Sequence, residues 1–404
     1  MTASLFDDDA RLGNAAARGT ERAVTFLHTA DWQLGMTRHF LPPDAQAQFT
    51  ADRLAAIDRM AAIAREAGAQ FAVVCGDVFD DPRASARIVT QALDKLAAFG
   101  MPVYLLPGNH DPFNAGSIYR STVFVSRRPD NVVVLDRPGA HEVADGVDLV
   151  VAPWSNKAPT SDLVGEQVAR LSAADRIRIV VGHGGTDELS PGSDPAIVAV
   201  SPLERAIADE AVDFVALGDR HSVTDLGDTG RIWYSGAPEV TDFDNVETRS
   251  GEVLVVGLTR GATRSVTVTP HPVGTWRFRS LTADVGGADD IDALAARLDD
   301  LPDKATTVVR LGLVGTLSVA DHAALEELLE ASADRFAGLV RWESRDDLHV
   351  VADPADVDGL GLRGYAADAA AQLVDQANGA DEDAARTARD ALGLLGRLVG
   401  GDKR

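Results

Sequence analysis

The chain has one cysteine in 404 residues, Cys75. No intrachain disulfide can form, and no cluster of thiolates can hold zinc. Positive charge is also scarce: 38 Lys and Arg stand against 62 Asp and Glu, a formal net charge of −24. That balance argues against a surface coated for nonspecific adhesion to nucleic acid or membrane, and it confines any nucleic-acid contact to a local cleft. No apolar run reaches the ~18 residues that span a bilayer. The N-terminal residues, Met1 to Asp9, have neither the basic nor the apolar region of a secretory signal. The expectation is a cytoplasmic protein with no membrane contact. Aromatic residues make up only 5% of the chain, but the hydrophobic share of 45% is that of an ordinary globular protein and excludes wholesale disorder. At roughly 150 residues per domain, the length predicts two or three domains.

Residues 1–22 are polar, lack apolar periodicity and read as a flexible extension. From Ala23 to about residue 260, short β-rich runs alternate with helical patterns. The runs are 24–27, 71–75, 103–106, 147–151, 177–181 and 213–217, each nearly all apolar, as strands buried on both faces are. Helical periodicity over 44–67 and 84–99 closes on Gly68 and Gly100. This alternation predicts a layered α/β domain over 23–270. The runs 232–234, 252–256 and 265–268 lie close together and read as antiparallel strands. Residues 271–280, with Pro272 and Gly274, read as a connector. A smaller α+β domain is expected over 280–355, with helices at 291–300 and 319–333 and strands at 307–311 and 347–351. Residues 364–399 predict two C-terminal helices. There is no internal repeat.

The ends of the strands carry the chemistry. Asp31-Trp32-Gln33 follows the first run, Gly76-Asp77 the second, and Pro107-Gly108-Asn109-His110-Asp111 the third. Gly182-His183 and Gly218-Asp219-Arg220-His221 follow two later ones. Ligands of α/β sheets collect beyond the carboxyl ends of strands, so clusters at five strand ends can converge on one point. Asp, Asn, Gln and His offer mixed oxygen and nitrogen donors, which suit Mn, Fe, Mg or Zn. There are too many of them for one ion. They suit two ions about 4 Å apart, an arrangement that activates water and stabilises phosphoryl charge, so phosphoester hydrolysis is the expected reaction.

Together with Val78-Phe79-Asp80, these clusters resemble the calcineurin-like metallophosphoesterases. His28-Thr29-Ala30-Asp31-Trp32 with Leu34-Gly35, and Tyr234-Ser235-Gly236-Ala237-Pro238-Glu239, narrow the resemblance to the SbcD-type DNA repair exonucleases. It covers residues 23–260 strongly and the rest only in size and order. It implies a β-sandwich flanked by helices, with a smaller capping domain. It also implies that Asp31 and His221 bind a first ion, Asn109 and His183 a second, and that Asp77 bridges them. His110 would face the phosphate, and Asp111 would orient His110. Two positions depart from the family: Gln33 and Asp219 stand where imidazoles are usual. An amide oxygen is a weaker ligand and a carboxylate a harder one, so Gln33 and Asp219 as ligands predict a site that prefers Mn over Zn.

The resemblance further implies DNA as substrate, a homodimer, and an SbcC-like SMC-type ATPase docking on the C-terminal helices. Arg38, Arg83, Arg120 and Arg220, together with His39, Arg127, Arg128 and Lys157, lie in or near loops after the strands and are candidates for DNA phosphate contacts. Trp32 and Trp154 are candidates either for stacking on bases or for core packing. Two alternatives stay open: a phosphatase or phosphodiesterase acting on a small molecule, and a catalytically weakened scaffold that only binds a partner.

Overall fold

The computed structural model describes residues 21–190, 192, 194–351 and 362–401. Nearly all of the expected N-terminal extension, and the segment 352–361 before the C-terminal helices, lie outside the described residues. Chain contacts divide the protein into two compact units. The first comprises residues up to Met36, Arg53–Pro238 and Ser250–Val273; the second comprises Thr37–Asp52, Glu239–Arg249 and Gly274 onward. The sequence predicts a single change of domain, in the 271–280 connector. The grouping changes there, at Val273, and also assigns two earlier segments, 37–52 and 239–249, to the second unit.

The first unit is built on two six-stranded sheets. One contains β1 (Arg22–Thr29), β2 (Phe71–Cys75), β3 (Val103–Leu106), β4 (Val132–Val134), β11 (Glu252–Arg260) and β12 (Arg264–Pro272), in the order β12-β11-β1-β2-β3-β4. The other contains β5 (Gly139–Ala144), β6 (Val147–Val151), β7 (Ile177–His183), β8 (Phe214–Gly218), β9 (Thr224–Leu226) and β10 (Ile232–Tyr234), in the order β5-β6-β7-β8-β10-β9. The five apolar runs from β2 to β8 form strands at the expected places, and β1 extends its run by a few residues at each end.

These runs are apolar throughout because each strand is covered twice. One face of each sheet meets the other sheet through Phe26, Phe71, Cys75, Leu149, Ile179, Val181, Phe214 and Ala216. The outer face of the first sheet packs on α1 (Pro43–Glu66) and α2 (Ala86–Ala97) through residues such as Ile57, Met60, Leu93 and Leu96. The outer face of the second packs on α4 (Leu163–Val168) and α5 (Val200–Ala208), while the short α3 (Thr122–Arg127) adds Phe124 to the first helical layer. The result is a helix-flanked β-sandwich of mixed α/β class, as expected.

One pairing corrects the sequence reading. β11 and β12 are antiparallel, but β10 lies in the other sheet, parallel to β8 and antiparallel to β9. The core of β10 is shared with β8, and proximity along the chain did not decide its partner.

The second unit carries a smaller sheet of β13 (Arg277–Val285), β14 (Thr307–Ser318), β15 (Gly338–Arg341) and β16 (Asp347–Val351). Four strands replace the two expected, and every pairing among them is parallel. The supposed connector is mostly strand, because β12 runs to Pro272 and β13 starts at Arg277. Helices α6 (Ala288–Asp299) and α7 (Val319–Ala333) cover this sheet through Leu294, Leu298 and Leu325. Two further helices, Tyr365–Ala377 and Glu382–Gly401, follow, and Val374, Ala388 and Leu392 pack with Val319. Among the described residues, no helix is long and apolar enough to cross a membrane.

Candidate metal centre

The parallel pairings β1–β2–β3 and β7–β8 align the carboxyl ends of five strands. The loops that follow are tied by main-chain hydrogen bonds. The N–H of Asp31 donates to Gly76 O at 3.1 Å, that of Gln33 to Asp77 O at 2.9 Å, and that of Gly184 to Gly218 O at 3.1 Å. In consequence Asp31, Asp77 and His183, far apart in the chain, bring ligand atoms within 4.8 Å of one another. All three are buried.

His183 is the centre of this arrangement. Its Nδ1 lies 2.8 Å from the carbonyl of Cys75 and donates to it, which fixes the ring and leaves Nε2 for the cluster. Around Nε2 lie Asn109 Oδ1 at 2.8 Å, Asp77 Oδ1 at 3.5 Å and Asp219 Oδ1 at 3.7 Å. The carbonyl of His183 also accepts from Trp154 Nε1 at 2.7 Å. Close packing protects the ring. A Cβ on Gly76 would sit 2.2 Å from His183 Nδ1, and one on Gly108 would sit 2.2 Å from Asp77 Oδ1, so neither position admits a side chain.

Asp77 is held on both oxygens: Oδ1 accepts from the main-chain N–H of His110, and Oδ2 from Gln33 Nε2, each at 2.9 Å. The main-chain N–H of Asp219 lies 3.1 Å from each oxygen of Asp31. Among the described residues, Asp31, Gln33, Asp77 and Asp219 are four of the six non-glycine residues with positive φ. Backbone strain of this kind persists where the surroundings over-determine it, and it gathers at functional sites.

The electrostatics show a shortage of positive charge. Burial pushes the Asp31 carboxyl up to about 7; His221 and His183 pull it down, while Asp77 and Asp219 push it further up. Burial works against a charged His183, yet Asp77, Asp31, Asp219 and the Cys75 carbonyl outweigh it and carry the imidazole up to about 9. Two lone-pair donors 2.8 Å apart, His183 Nε2 and Asn109 Oδ1, need either a proton or a cation between them. Gln33 Oε1 is a buried amide oxygen with no hydrogen-bond partner. A divalent cation answers each of these demands, and carboxylate, amide and imidazole are its ordinary donors. The residues therefore fit a metal centre.

The remaining expected residues fall as follows. His110 lies beside the cluster, with its Nδ1 2.7 Å from the carbonyl of Asp80. That differs from the role given to Asp111. The buried carboxylate of Asp111 instead accepts from Tyr119 Oη at 2.6 Å, Gly108 N at 2.8 Å and Phe79 N at 3.2 Å, so it fixes the loop and not the ring of His110. Burial and the charge of Asp77 raise Asp111 to about 6 against these three donors. The sequence held no signal for Tyr119 or for the two carbonyls that orient the imidazoles. Side-chain pairing of this kind is set by the fold.

Among the candidate DNA contacts, Arg220 Nε donates to Thr224 Oγ1 at 2.8 Å, and Arg38, in the second unit, donates to the Thr241 carbonyl. Arg83 is 90% exposed and forks onto Asp81 at 2.9 and 3.1 Å. That pairing holds Asp81 down to about 2, with Lys157 adding to the effect. Exposed Arg120 lies over the Phe113 ring. Trp32 and Trp154 are buried core residues.

Comparison with known proteins identifies the family. Residues 24–249, more than half of the chain, match the family model described as calcineurin-like phosphoesterase. No curated protein matches the sequence. Solved structures that are similar include a dimetal phosphatase from Danio rerio, with 13% identity, a TM-score of 0.38, and 62% of this chain and 99% of that one covered. Another is a protein of Thermus thermophilus, with 10% identity, a TM-score of 0.38, and 62% and 100% covered. By its match to the family model, the chain belongs to the calcineurin-like phosphoesterase family, hydrolases of phosphoesters that use a dinuclear divalent metal centre.

Proposed function

We propose that the chain is a DNA nuclease of the SbcD type, hydrolysing phosphodiester bonds with two divalent ions, manganese foremost, in partnership with an SbcC-like ATPase. The observation that carries the hydrolytic part is the gathering of Asp31, Asp77 and His183 within 4.8 Å, with Asn109 against the same imidazole nitrogen. Asp31, Asp77, Asn109, His183 and His221 would hold the ions. When bound, such a pair supplies Lewis acidity and an activated water.

The protein's own contribution is position and proton handling. Asp77, fixed on both oxygens, would keep one lone pair on each to offer a cation. His110, with Nδ1 donating to Asp80 O, keeps Nε2 free to accept a proton or, once protonated, to donate to a phosphate or leaving-group oxygen. The Tyr119–Asp111 bond fixes the turn that presents Asn109 and His110.

The DNA reading is supported by the Tyr234–Glu239 motif and by the exposed cation Arg120. A small-molecule phosphodiester is the second reading. It is favoured by the engagement of Arg38 and Arg220 within the protein and by the net charge of −24. Activity with Mn on linear duplex DNA, single-stranded DNA and bis(p-nitrophenyl) phosphate separates the two. Cleavage of the small ester with no cleavage of either DNA would overturn the nuclease reading. An Asp77→Ala variant as active as the wild type would overturn both.

A further inference from the structure

Of the six apolar runs in the first unit, only that of β6 is followed by no candidate ligand: it leads into Ala152-Pro153-Trp154. Trp154 is buried, at 8% exposure. The β6–β7 ladder stops with Val151 opposite Val181, and the Ala152 N–H still donates to Val181 O at 3.0 Å. Two residues on, the main chain turns away from β7. The N–H of Trp154 donates to Pro107 O at 3.1 Å, and its carbonyl accepts from the Phe113 N–H at 2.8 Å. These two bonds tie both ends of the segment 107–113, which carries Asn109 and His110 between them.

The side chain serves β7 instead. Its Nε1–H donates to the His183 carbonyl at 2.7 Å, and its ring stands edge-on to the imidazole with centroids 6.0 Å apart. The indole also closes on Gly184, where an added Cβ would lie 3.6 Å from Cζ2. One residue therefore holds the Asn109 turn by its main chain and His183 by its side chain. Asn109 Oδ1 and His183 Nε2 are the two atoms that approach to 2.8 Å. The donors of a metal site must keep their places to roughly 0.2 Å, so whatever fixes these two relative to each other bears on metal affinity.

We propose that Trp154 is a positioning residue, which sets the separation of Asn109 and His183 and through it the affinity of the centre for its ion. The inference rests on the metal-centre reading and deepens it. A tryptophan that only filled space would need its ring alone. Here the polar edge is engaged by the carbonyl of one ligand residue, and the main chain by the turn that presents another. Removing the indole N–H strips a buried carbonyl of this donor and frees His183 to move against the Asn109 turn.

The test compares three variants of the full chain. Trp154→Phe keeps an aromatic ring and both main-chain bonds and removes the indole N–H. Trp154→His keeps a ring N–H and serves as a partial rescue. Asn131→Ala is the control: Asn131 Nδ2 donates to Leu96 O at 2.9 Å and to Met101 O at 3.1 Å, at the amino ends of β3 and β4 and away from the cluster. Urea unfolding reads the loss of stability, and two further measurements separate positioning from packing. In calorimetric titration of the metal-stripped chain, Trp154→Phe is expected to weaken Mn binding about tenfold, the low end of what the outer partners of metal ligands are worth, with Trp154→His between it and the wild type. In the metal-free chain, hydrogen exchange of the peptide spanning 107–113 is expected to quicken about fivefold in Trp154→Phe, the equivalent of one ordinary hydrogen bond. Asn131→Ala is expected to lose stability with neither change. Should Trp154→Phe not fold, Trp154→His against Asn131→Ala makes the same comparison. A folded variant in which Mn affinity or 107–113 exchange stays at the wild-type level, or shifts no more than in Asn131→Ala, would overturn the inference and leave the phosphoesterase reading intact. A wild type that takes up no Mn would overturn that reading, and the exchange rates would still decide whether Trp154 holds the turn.

Discussion

His28 is the buried base on which acid should act first. It is fully buried, its Nε2 lies 3.1 Å from the Leu217 carbonyl, and its Nδ1 is buried without a partner. A proton added at Nδ1 would have no protein acceptor. Burial accordingly depresses the imidazole to about 3, with the Leu217 carbonyl acting weakly in the opposite direction. In the unfolded chain the same ring titrates near its ordinary value of 6.5. Between these values the unfolded state binds the extra proton, so this contribution is fully present above 6.5 and is lost as the pH falls toward 3. The linkage amounts to about 1.4 kcal/mol lost by pH 5.5 and about 2.7 kcal/mol by pH 4.5. Raised groups such as Asp31 and His183 titrate with the opposite sign, so the raw pH profile mixes several contributions. His28→Gln isolates one of them: the amide can still donate to Leu217 but does not titrate. Urea unfolding of both proteins from pH 7.5 to 4.5 should show the wild type's advantage shrinking by those amounts. Parallel stability curves would refute the reasoning, because they would mean that His28 takes up its proton alike in both states.

Further predictions concern packing and charge. Gly76→Ala drives a Cβ to 2.2 Å from His183 Nδ1 at a φ of +93°, and should abolish Mn binding by calorimetry. Gly68→Ala, also at positive φ but in open space, should cost only the conformational penalty, about 1–2 kcal/mol in urea unfolding, and leave Mn binding unchanged. Tyr119→Phe removes the 2.6 Å donor from the buried Asp111 carboxylate and should cost about 1–3 kcal/mol, read by the same unfolding. Mn at a hundred times its dissociation constant should stabilise the native state by about 2.7 kcal/mol for each ion bound, read as a melting temperature that chelator lowers. A melt indifferent to chelator would refute the metal centre.

Much of the first unit could be read from the chain because its strands are covered on both faces. Phe71–Cys75 and Phe214–Gly218 are buried without a break, so each appears as an unbroken apolar run ended by its ligand residue. β5 and β13 were missed for the converse reason. Their burial alternates or is partial, and β13 (Arg277–Val285) carries two arginines and begins just after Pro272 and Gly274. The assembly of the second unit had no local signal. Trp276 Nε1 donates to Asp52 across 224 positions, and Glu239 accepts from the main chain of Thr275 and Trp276 across 36 and 37. Such pairs are set by tertiary packing.

The site shows the same division between what composition reveals and what geometry adds. Polar residues after apolar strands mark the place, but nothing in the letters says that Asp31, Gln33, Asp77 and Asp219 hold positive φ. For a residue with a Cβ this region costs roughly 1–2 kcal/mol each. Four such costs at one point would be discarded by a chain shaped for stability alone, since glycine would relieve each of them. Glycine has no carboxylate or amide, however, and a regular strand continuation would point these side chains along the sheet. Each abrupt turn instead lets a side chain leave its strand end and reach its neighbours, as Gln33 reaches Asp77 and as Asp219 reaches His183. The tolerated strain therefore points to function independently of any motif. It predicts that glycine at position 31 or 219 would raise stability in urea while weakening Mn binding. A glycine variant that lost stability would show that the turns are held by the side chains themselves, and strain could then no longer be counted as a sign of function.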